Sequence, residues 1–482
     1  MGDCRDDQGS MIGRHQLRLL VRSGRLGPAM GLLIASILIA SITGLARFRT
    51  ESNAAAAYDR QAREHIARNQ EIARGIERRI AAGEEKELIP PPFGSRAPNY
   101  VHTWCHPAAV LPPGPLAWMT VGESDLNPHA YSGPGMTAAE INSNPLLLSN
   151  GSFDLTQVIG QILPIVIVLL MFDLAVGERE NSVLSMALAQ PVSFRRLLLL
   201  SSVPAVLFVL GTTVLLIGGA AALSGTTAFA RLALWLGAVV TYAIFWLALA
   251  LLVNSARLSP PSAAATLAGA WLLLNVLVPT AANAVANGVY PAPPRPEYVA
   301  VERELPERIA KLSSIELVRE YSHHHPEYGN LTHLDYQGYR YVVGHAMAEA
   351  RAALLDLEES RIQEQRRKQD RLAALLSTAS PAALLLRFMT EVSGSGHTRR
   401  EAFLLQKKQH LADYNRFFRP RIYALPNSVF RSSDYDKIPT FHYREETLAE
   451  VWARASAPGG LLVAFALLTS AAVAYRLTAF RY

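Results

Sequence analysis

The residues of this chain best suited to chemistry are its histidines, and two groups stand out. His323-His324-His325 is followed by His333 and His345, while His102 and His106 flank Cys105. Imidazole and thiolate are ligands for zinc and copper, so either group suggests a metal. A metal site, however, needs ligands that converge on one point and are held there by further partners. Three consecutive histidines on a helix point in different directions, so at most two can share an ion. His102 and His106 have the i, i+4 spacing of a helical pair but sit in a proline-rich stretch without helical pattern. The expectation is solvated histidines, with no metal and no cofactor held by this chain. Enzymatic chemistry lacks other prerequisites too. There is no H-E-x-x-H pairing and no G-x-x-x-x-G-K-[ST] phosphate loop. ATP hydrolysis of that kind would have to come from another polypeptide.

The elements that carry these residues fall into two environments. Half of the 482 residues are hydrophobic, and they are bunched rather than periodic. Six stretches are long and uncharged enough to cross the hydrocarbon core: Gly27–Ala46, Val158–Val176, Leu198–Leu223, Leu232–Asn254, Ala263–Ala286 and Gly459–Tyr475. They contain no histidine and one acid, Asp173, which leaves catalysis inside the membrane without a base or a metal. The first run is too long for a signal-peptide core and reads as a retained span. The net charge of +6 gathers at span ends, which suits anionic lipid better than nucleic acid.

Short flanks rich in arginine set the orientation. The arm 1–26, the loop 177–197 (Arg179, Arg195, Arg196), Arg257 and the tail 476–482 share one side, which is therefore cytoplasmic. Two long segments, 47–157 and 287–458, lie outside. Cys4 and Cys105 then face opposite sides and cannot pair. The first segment opens with a helical stretch, Ala54–Leu88, and continues as an irregular Pro/Gly-rich region. The second reads as helices over Glu302–Glu320, Gly338–Leu376, Ala382–Val392 and Arg399–Phe418, with a short helix at Glu445–Ser456 feeding the last span. The fold class is an all-α polytopic membrane protein with six transmembrane helices and two mainly helical extracytoplasmic segments.

Within this frame a few polar residues gain meaning. Asn254 ends span four, and Asn275 and Asn283 lie eight residues apart in span five, roughly on one face. Buried amides glue helices together or line a pathway. Asp154 precedes span two and reads as its cap. Pro164, Pro204 and Pro279 are expected to kink their spans. Past span two, Glu178-Arg179-Glu180 marks the cytoplasmic mouth, where charge stays at the interface. Ser182–Ala189 follows as a short amphipathic helix, and Gln190-Pro191-Val192-Ser193 resets the chain before Arg195-Arg196. Such an interfacial helix is a lever on two spans.

The run Gly177–Arg196 resembles the coupling segment of type-2 ABC transporter permeases, which carry an E-R-E-x-G-T-L pattern followed by Q-P-V-S and basic residues. Ser182-Val183 stands here in place of the family's Gly-Thr. Asn144-Pro145-Leu146 and Gly151-Ser152-Phe153-Asp154-Leu155 are similar to the approach to span two in one subfamily, which also bears a large extracytoplasmic domain of unassigned function before its last helix. Its second signature resembles Ser380-Pro381 to Leu386, then Gly394-Ser395-Gly396, Arg399-Arg400 and Phe403. The resemblance implies a bacterial cytoplasmic-membrane permease working beside a second permease, a copy or a paralogue, on a dimer of ATPase subunits that bind ATP and magnesium. Glu178, Arg179, Glu180, Gln190 and Pro191 would contact the ATPase. The alternative is a membrane-anchored sensor or scaffold whose outer helical domain binds a ligand or partner.

Overall fold

The computed structural model describes residues 22, 24–84, 94–133, 137–138, 153–174, 194–256, 258–291, 303–304, 309, 311–331, 334–425 and 427–479. Helix dominates. Among the described residues five helices are long and apolar enough to cross a membrane: α1 (Leu26–Ala81), α4 (Phe194–Ser224), α5 (Phe229–Asn254), α6 (Pro260–Val289) and α11 (Leu448–Ala479). A shorter apolar helix, α3 (Leu155–Met171), packs among them. Between α1 and α3 lies α2 (Pro98–Trp104); between α6 and α11 lie α7 (Ser314–His324), α8 (Tyr336–Leu376), α9 (Pro381–Ser393) and α10 (His397–Tyr423).

Helices cross the expected span borders without stopping. α1 is one rod of 56 residues, about 84 Å at 1.5 Å per residue. Nothing between Arg47 and Asn53 breaks a helix, and Asp59–Arg63 adds an i, i+4 pair at 2.7 Å. Gly83, at φ +74°, ends it by letting the chain turn left-handed while its N–H reaches the Ile80 carbonyl. The short helix foreseen at Glu445–Ser456 is likewise continuous with the last span. α11 starts in a capping box, Thr447 Oγ1 accepting from the Glu450 N–H and Glu450 Oε2 from the Thr447 N–H. It runs on through Pro458.

Two prolines act through the turn before them. π-helical turns at Val158–Ile162 and Leu273–Leu277 end two residues short of Pro164 and Pro279, where a widened turn makes room for the missing N–H. Pro204 lies inside an unbroken α4. Asp154 caps α3 through the Gln157 N–H at 2.8 Å.

The spans meet at two levels. At one end of α1, Arg25 reaches Asp173 beyond the end of α3 at 2.9 Å, and Asn254 at the end of α5 donates to the Met171 carbonyl at 2.7 Å. At the other level Arg49 donates to the Leu223 carbonyl of α4, and Arg47 to the Ala117 carbonyl. The 22 residue steps from Arg25, the N-cap of α1, to Arg47 cover about 33 Å, the thickness of a hydrocarbon core. Leu207, Leu215, Leu223, Leu467 and Leu468 stay exposed on the bundle's outside, as lipid-facing residues would.

The buried residues form two main cores. Leu33, Ile37, Val166, Trp235, Trp246 and Leu462 belong to the span core. Val101, Leu317, Val342, Tyr414, Phe418 and Phe430 belong to an outer core. α9 departs from expectation. Ala382, Leu384, Leu385, Phe388, Met389 and Val392 belong to the span core, not the outer one. Its apolar face is too wide to leave in water, yet 13 residues are too short to cross. It docks sideways instead: Ser380 caps it and donates to the Leu274 carbonyl in the π turn of α6. A Cβ on Gly459 of α11 would lie 2.7 Å from the Phe388 ring.

The region after α1, expected to be irregular, contains α2 and a small antiparallel sheet, β1 (Ala109–Val110), β2 (Ala130–Ser132) and β3 (Thr137–Ala138), in the order β1-β2-β3.

Candidate functional site

Glu178, Arg179, Glu180, Gln190 and Pro191 lie outside the described residues, as does His333. The three asparagines part company. Asn254 is fully buried and ties α5 to α3. Asn275 donates to the Gly160 carbonyl of α3 at 3.0 Å, and Tyr242 of α5 donates to the same carbonyl at 2.9 Å. The π turn frees that carbonyl, and the amide and phenol close it. Asn283 is exposed, so eight-residue spacing does not give a shared buried face: this end of α6 buries only Ala282 and Ala286.

The second signature converges on one place, a polar junction at the Arg47 level of the bundle. α9 ends at Gly394, whose φ of +75° only glycine holds without strain. The turn Gly394-Ser395-Gly396 is gripped by the loop before α3. Leu116 N–H donates to the Ser393 carbonyl and Ser124 N–H to the Ser395 carbonyl. Thr120 Oγ1 lies 2.7 Å from Thr156 Oγ1 and 2.9 Å from Ser393 Oγ, and Ser395 Oγ donates to the Thr120 carbonyl at 3.0 Å. A Cβ on Gly114 would meet the Gly394 oxygen at 2.5 Å.

Charges surround this turn. Arg399, 1% exposed, makes a forked contact with Glu445 at 2.9 and 2.6 Å and donates to the Pro112 carbonyl. Arg454 of α11 binds Glu391 of α9 at 3.1 Å and Glu446 at 2.8 Å. Arg231, at the start of α5, is buried and donates to the Glu446 carbonyl. Burial pushes the Asp125 and Asp154 carboxyls above their usual range, opposed by backbone N–H bonds and by Arg47. Six elements (α1, α3, α5, α9, α10 and α11) are thereby pinned together. Arg231 was legible only as a topology marker, and Thr120, Glu391, Glu446 and Arg454 carry no sequence signal of their own. Arg400 and Phe403 continue the junction upward, Arg400 donating to Tyr131 Oη and Phe403 packing on Tyr131 and Tyr443.

His397, at the start of α10, lies 3.0 Å from Glu123 and 3.1 Å from Glu401. The Glu123 bond raises its pKa to about 9 against the opposing effect of burial. A raised folded value stabilises the charged contact fully below the unfolded value near 6.5 and loses it as pH climbs through about 9. Hydrogen exchange at the start of α10 is therefore expected to quicken between pH 7 and 9.5 relative to the rest of the chain. His397→Gln should remove that pH dependence; an unchanged profile in the variant would contradict the assignment.

The other histidines correct the expectation of a solvated set. His323 and His324 are exposed, but His102 is buried because Pro98 opens α2 instead of breaking it, and α2 packs on α10. His102 stacks on Tyr414 with ring centres 5.4 Å apart and donates from Nε2 to Asn415 Oδ1 at 3.3 Å. Arg419, Tyr321, Tyr423 and His345 form a hydrogen-bonded chain, each step 2.8 Å. Donation in that order gives both tyrosine hydroxyls a donor and an acceptor and leaves His345 Nδ1 accepting, as a neutral imidazole does. Burial lowers His102 to about 4 and His345 to about 3. Cys105, free and buried beside them, is pushed up to about 12. Among the described residues no three His, Cys, Asp or Glu side chains gather as metal ligands.

The lowered values predict that the domain built on the second core loses stability in acid. Above pH 6.5 both histidines are neutral folded and unfolded, so nothing is lost. As pH falls below that, the unfolded chain takes up protons the folded one refuses, and stability drops by about 1 kcal/mol per pH unit for each histidine until pH nears 4. Denaturant melts of the outer domain at pH 7 and 5 are expected to differ accordingly, with a shallower dependence in His102→Gln. Equal dependence in both proteins would refute it.

Residues 307–444 match a family model described as a domain of unknown function, DUF3526. The match spans less than a third of the chain, from before α7 to the residue preceding Glu445. No curated protein matches this chain. No solved structure matches it either.

Proposed function

We propose that this chain is the membrane-spanning permease subunit of an ABC transporter, moving a cargo across a bacterial cytoplasmic membrane with ATP hydrolysed by a separate subunit. The observation that carries the reading is the two-level bundle. Five membrane-length helices and the shorter α3 are tied at one level by Arg25, Asp173 and Asn254 and at the other by Arg47, Arg49 and the polar junction. That spacing supports reading the bundle as six crossings with both termini inside. On this reading an ATPase meets the chain on the side of Arg25 and Asp173, through the Glu178-Arg179-Glu180 segment that follows Asp173 in sequence.

The mechanism follows from the packing. An ATPase dimer closing on ATP pushes the 177–193 segment and shifts α3 and α4 together. α3 is bonded through Thr156 and Asp154 to the junction, and α9 is lodged in the span core. A shift of the bundle therefore moves the outer helical domain as well, through Arg399, Arg454 and the long α1. A second permease, a copy or a paralogue, completes the pathway.

Solubilising tagged chain from native membranes in mild detergent tests this directly. An ATPase subunit carrying a phosphate loop is expected to co-purify. A chain that purifies alone would favour the sensor or scaffold, whose output is some other partner.

A further inference from the structure

The outer domain has a cleft that the transport reading does not use. It holds about 260 Å³ and lies between α10 and the turn after α7. A water takes about 30 Å³ of liquid, so the space fits several waters or one small organic molecule. Arg419 lies in its wall, with Arg416 and Lys408 beside it. Leu411 and Ala412 give an apolar side, and Tyr328, Asn415, His325 and Glu327 complete the wall. Two acidic groups are near: Glu327, bonded to His325 at 2.9 Å, and Glu349, bonded to the other nitrogen of His325 at 2.8 Å.

Arg419 is the unusual group. Its side chain is 15% exposed, and one nitrogen donates to Tyr321 Oη at 2.8 Å. Its Nε is buried with no hydrogen-bond partner among the described residues. The nearest carboxylate, Glu349, stands 4.0 Å away, beyond a hydrogen bond. The guanidinium thus keeps its positive charge without a carboxylate in hydrogen-bond reach. The rim cations are more easily redirected. Arg416 pairs with Asp413 and Lys408 with Asp356, and all four side chains are more than half exposed, where such pairs contribute little.

We propose that this cleft binds a small organic carboxylate. The carboxylate is drawn to the Arg419 guanidinium in the wall, with Arg416 and Lys408 adding charge at the mouth. The apolar body lies along Leu411 and Ala412 against the Tyr328 ring. Binding at this site needs no ATPase and stands whether or not the chain is a permease.

The test uses the full chain in detergent at pH 7.5 and titration calorimetry with three probes: N-acetyl-leucine, N-acetyl-leucinamide and inorganic phosphate. N-acetyl-leucine is expected to bind saturably. The amide, which differs only at the carboxylate, should bind at least about tenfold more weakly. Phosphate, which lacks the apolar body, should also bind more weakly. Arg419→Gln should lower carboxylate affinity about tenfold or more, with Arg419→Lys recovering part of it. Because Arg419 also supports Tyr321, the double variant Arg416→Gln/Lys408→Gln gives an independent reading on exposed positions, with an expected loss of a few-fold and no change in melting temperature. No saturable binding below about 10 mM, equal binding of acid and amide, equal binding of phosphate, or affinity untouched in all variants would each overturn the proposal.

Discussion

Arg399→Ala is expected to lower the stability of the outer junction by about 2–3 kcal/mol. The guanidinium is 1% exposed and holds both oxygens of Glu445 as well as the Pro112 carbonyl. Removing it leaves a carboxylate facing the hole and a carbonyl without its donor. Breaking a fully buried pair costs somewhat more, but Glu445 is 35% exposed and regains part of its hydration. Arg399→Lys should recover less than half, because an ammonium cannot span both carboxylate oxygens and the Pro112 carbonyl together. Cys105 supplies the readout, since it is free and buried. In a Cys4→Ser background, a thiol-reactive dye reports opening of the outer domain on heating. A melting curve unmoved by Arg399→Ala would show that the ion pair ornaments the junction rather than holding it.

Gly122→Val should be comparably damaging, by about 3 kcal/mol. Any Cβ at this position overlaps the Ser395 carbonyl. That oxygen is backbone, fixed by the Ser124 N–H, and cannot swing aside as a side chain would. The loop bearing Thr120 must then lift off the Gly394-Ser395-Gly396 turn, losing the hydrogen bonds to Thr156 and Ser393 together. Gly75→Ala is the matched control. Gly75 lies within α1 with open space where a Cβ would go, so alanine should stabilise by about 0.5–1 kcal/mol. If both substitutions behave alike, close approach of the loop is not what the glycine provides.

The membrane-length helices were legible because hydropathy over some twenty residues is a local property that tertiary packing cannot reverse. Their ends were less so. A change of solvent at Arg47 is not a change of backbone, and Arg-Phe-Arg-Thr-Glu-Ser is as helical outside a membrane as the apolar run is within it. α9 misled for a related reason: its length excluded a crossing, and only the three-dimensional packing shows that a short apolar helix has docked against the spans. His102 looked solvated because proline was read as a breaker when it was a helix start. The junction itself had half a signature. The Gly394-Ser395-Gly396 turn and Arg399 stood out as a pattern, but Glu391, Glu445, Glu446 and Arg454 meet Arg231 from three separate parts of the chain. No local spacing encodes such a meeting. The Glu178-Arg179-Glu180 segment rests on sequence alone.

That segment is where the central claim is most exposed. The decisive measurement reconstitutes the chain with its co-purifying ATPase in liposomes and compares ATP hydrolysis for wild type and Glu178→Lys/Glu180→Lys. Neither residue belongs to the hydrophobic runs of the sequence. The account predicts that wild type changes the ATPase rate and that the double reversal abolishes this effect, or releases the ATPase, while the permease still melts normally. Hydrolysis indifferent to the chain, or equally responsive to wild type and variant, would contradict it.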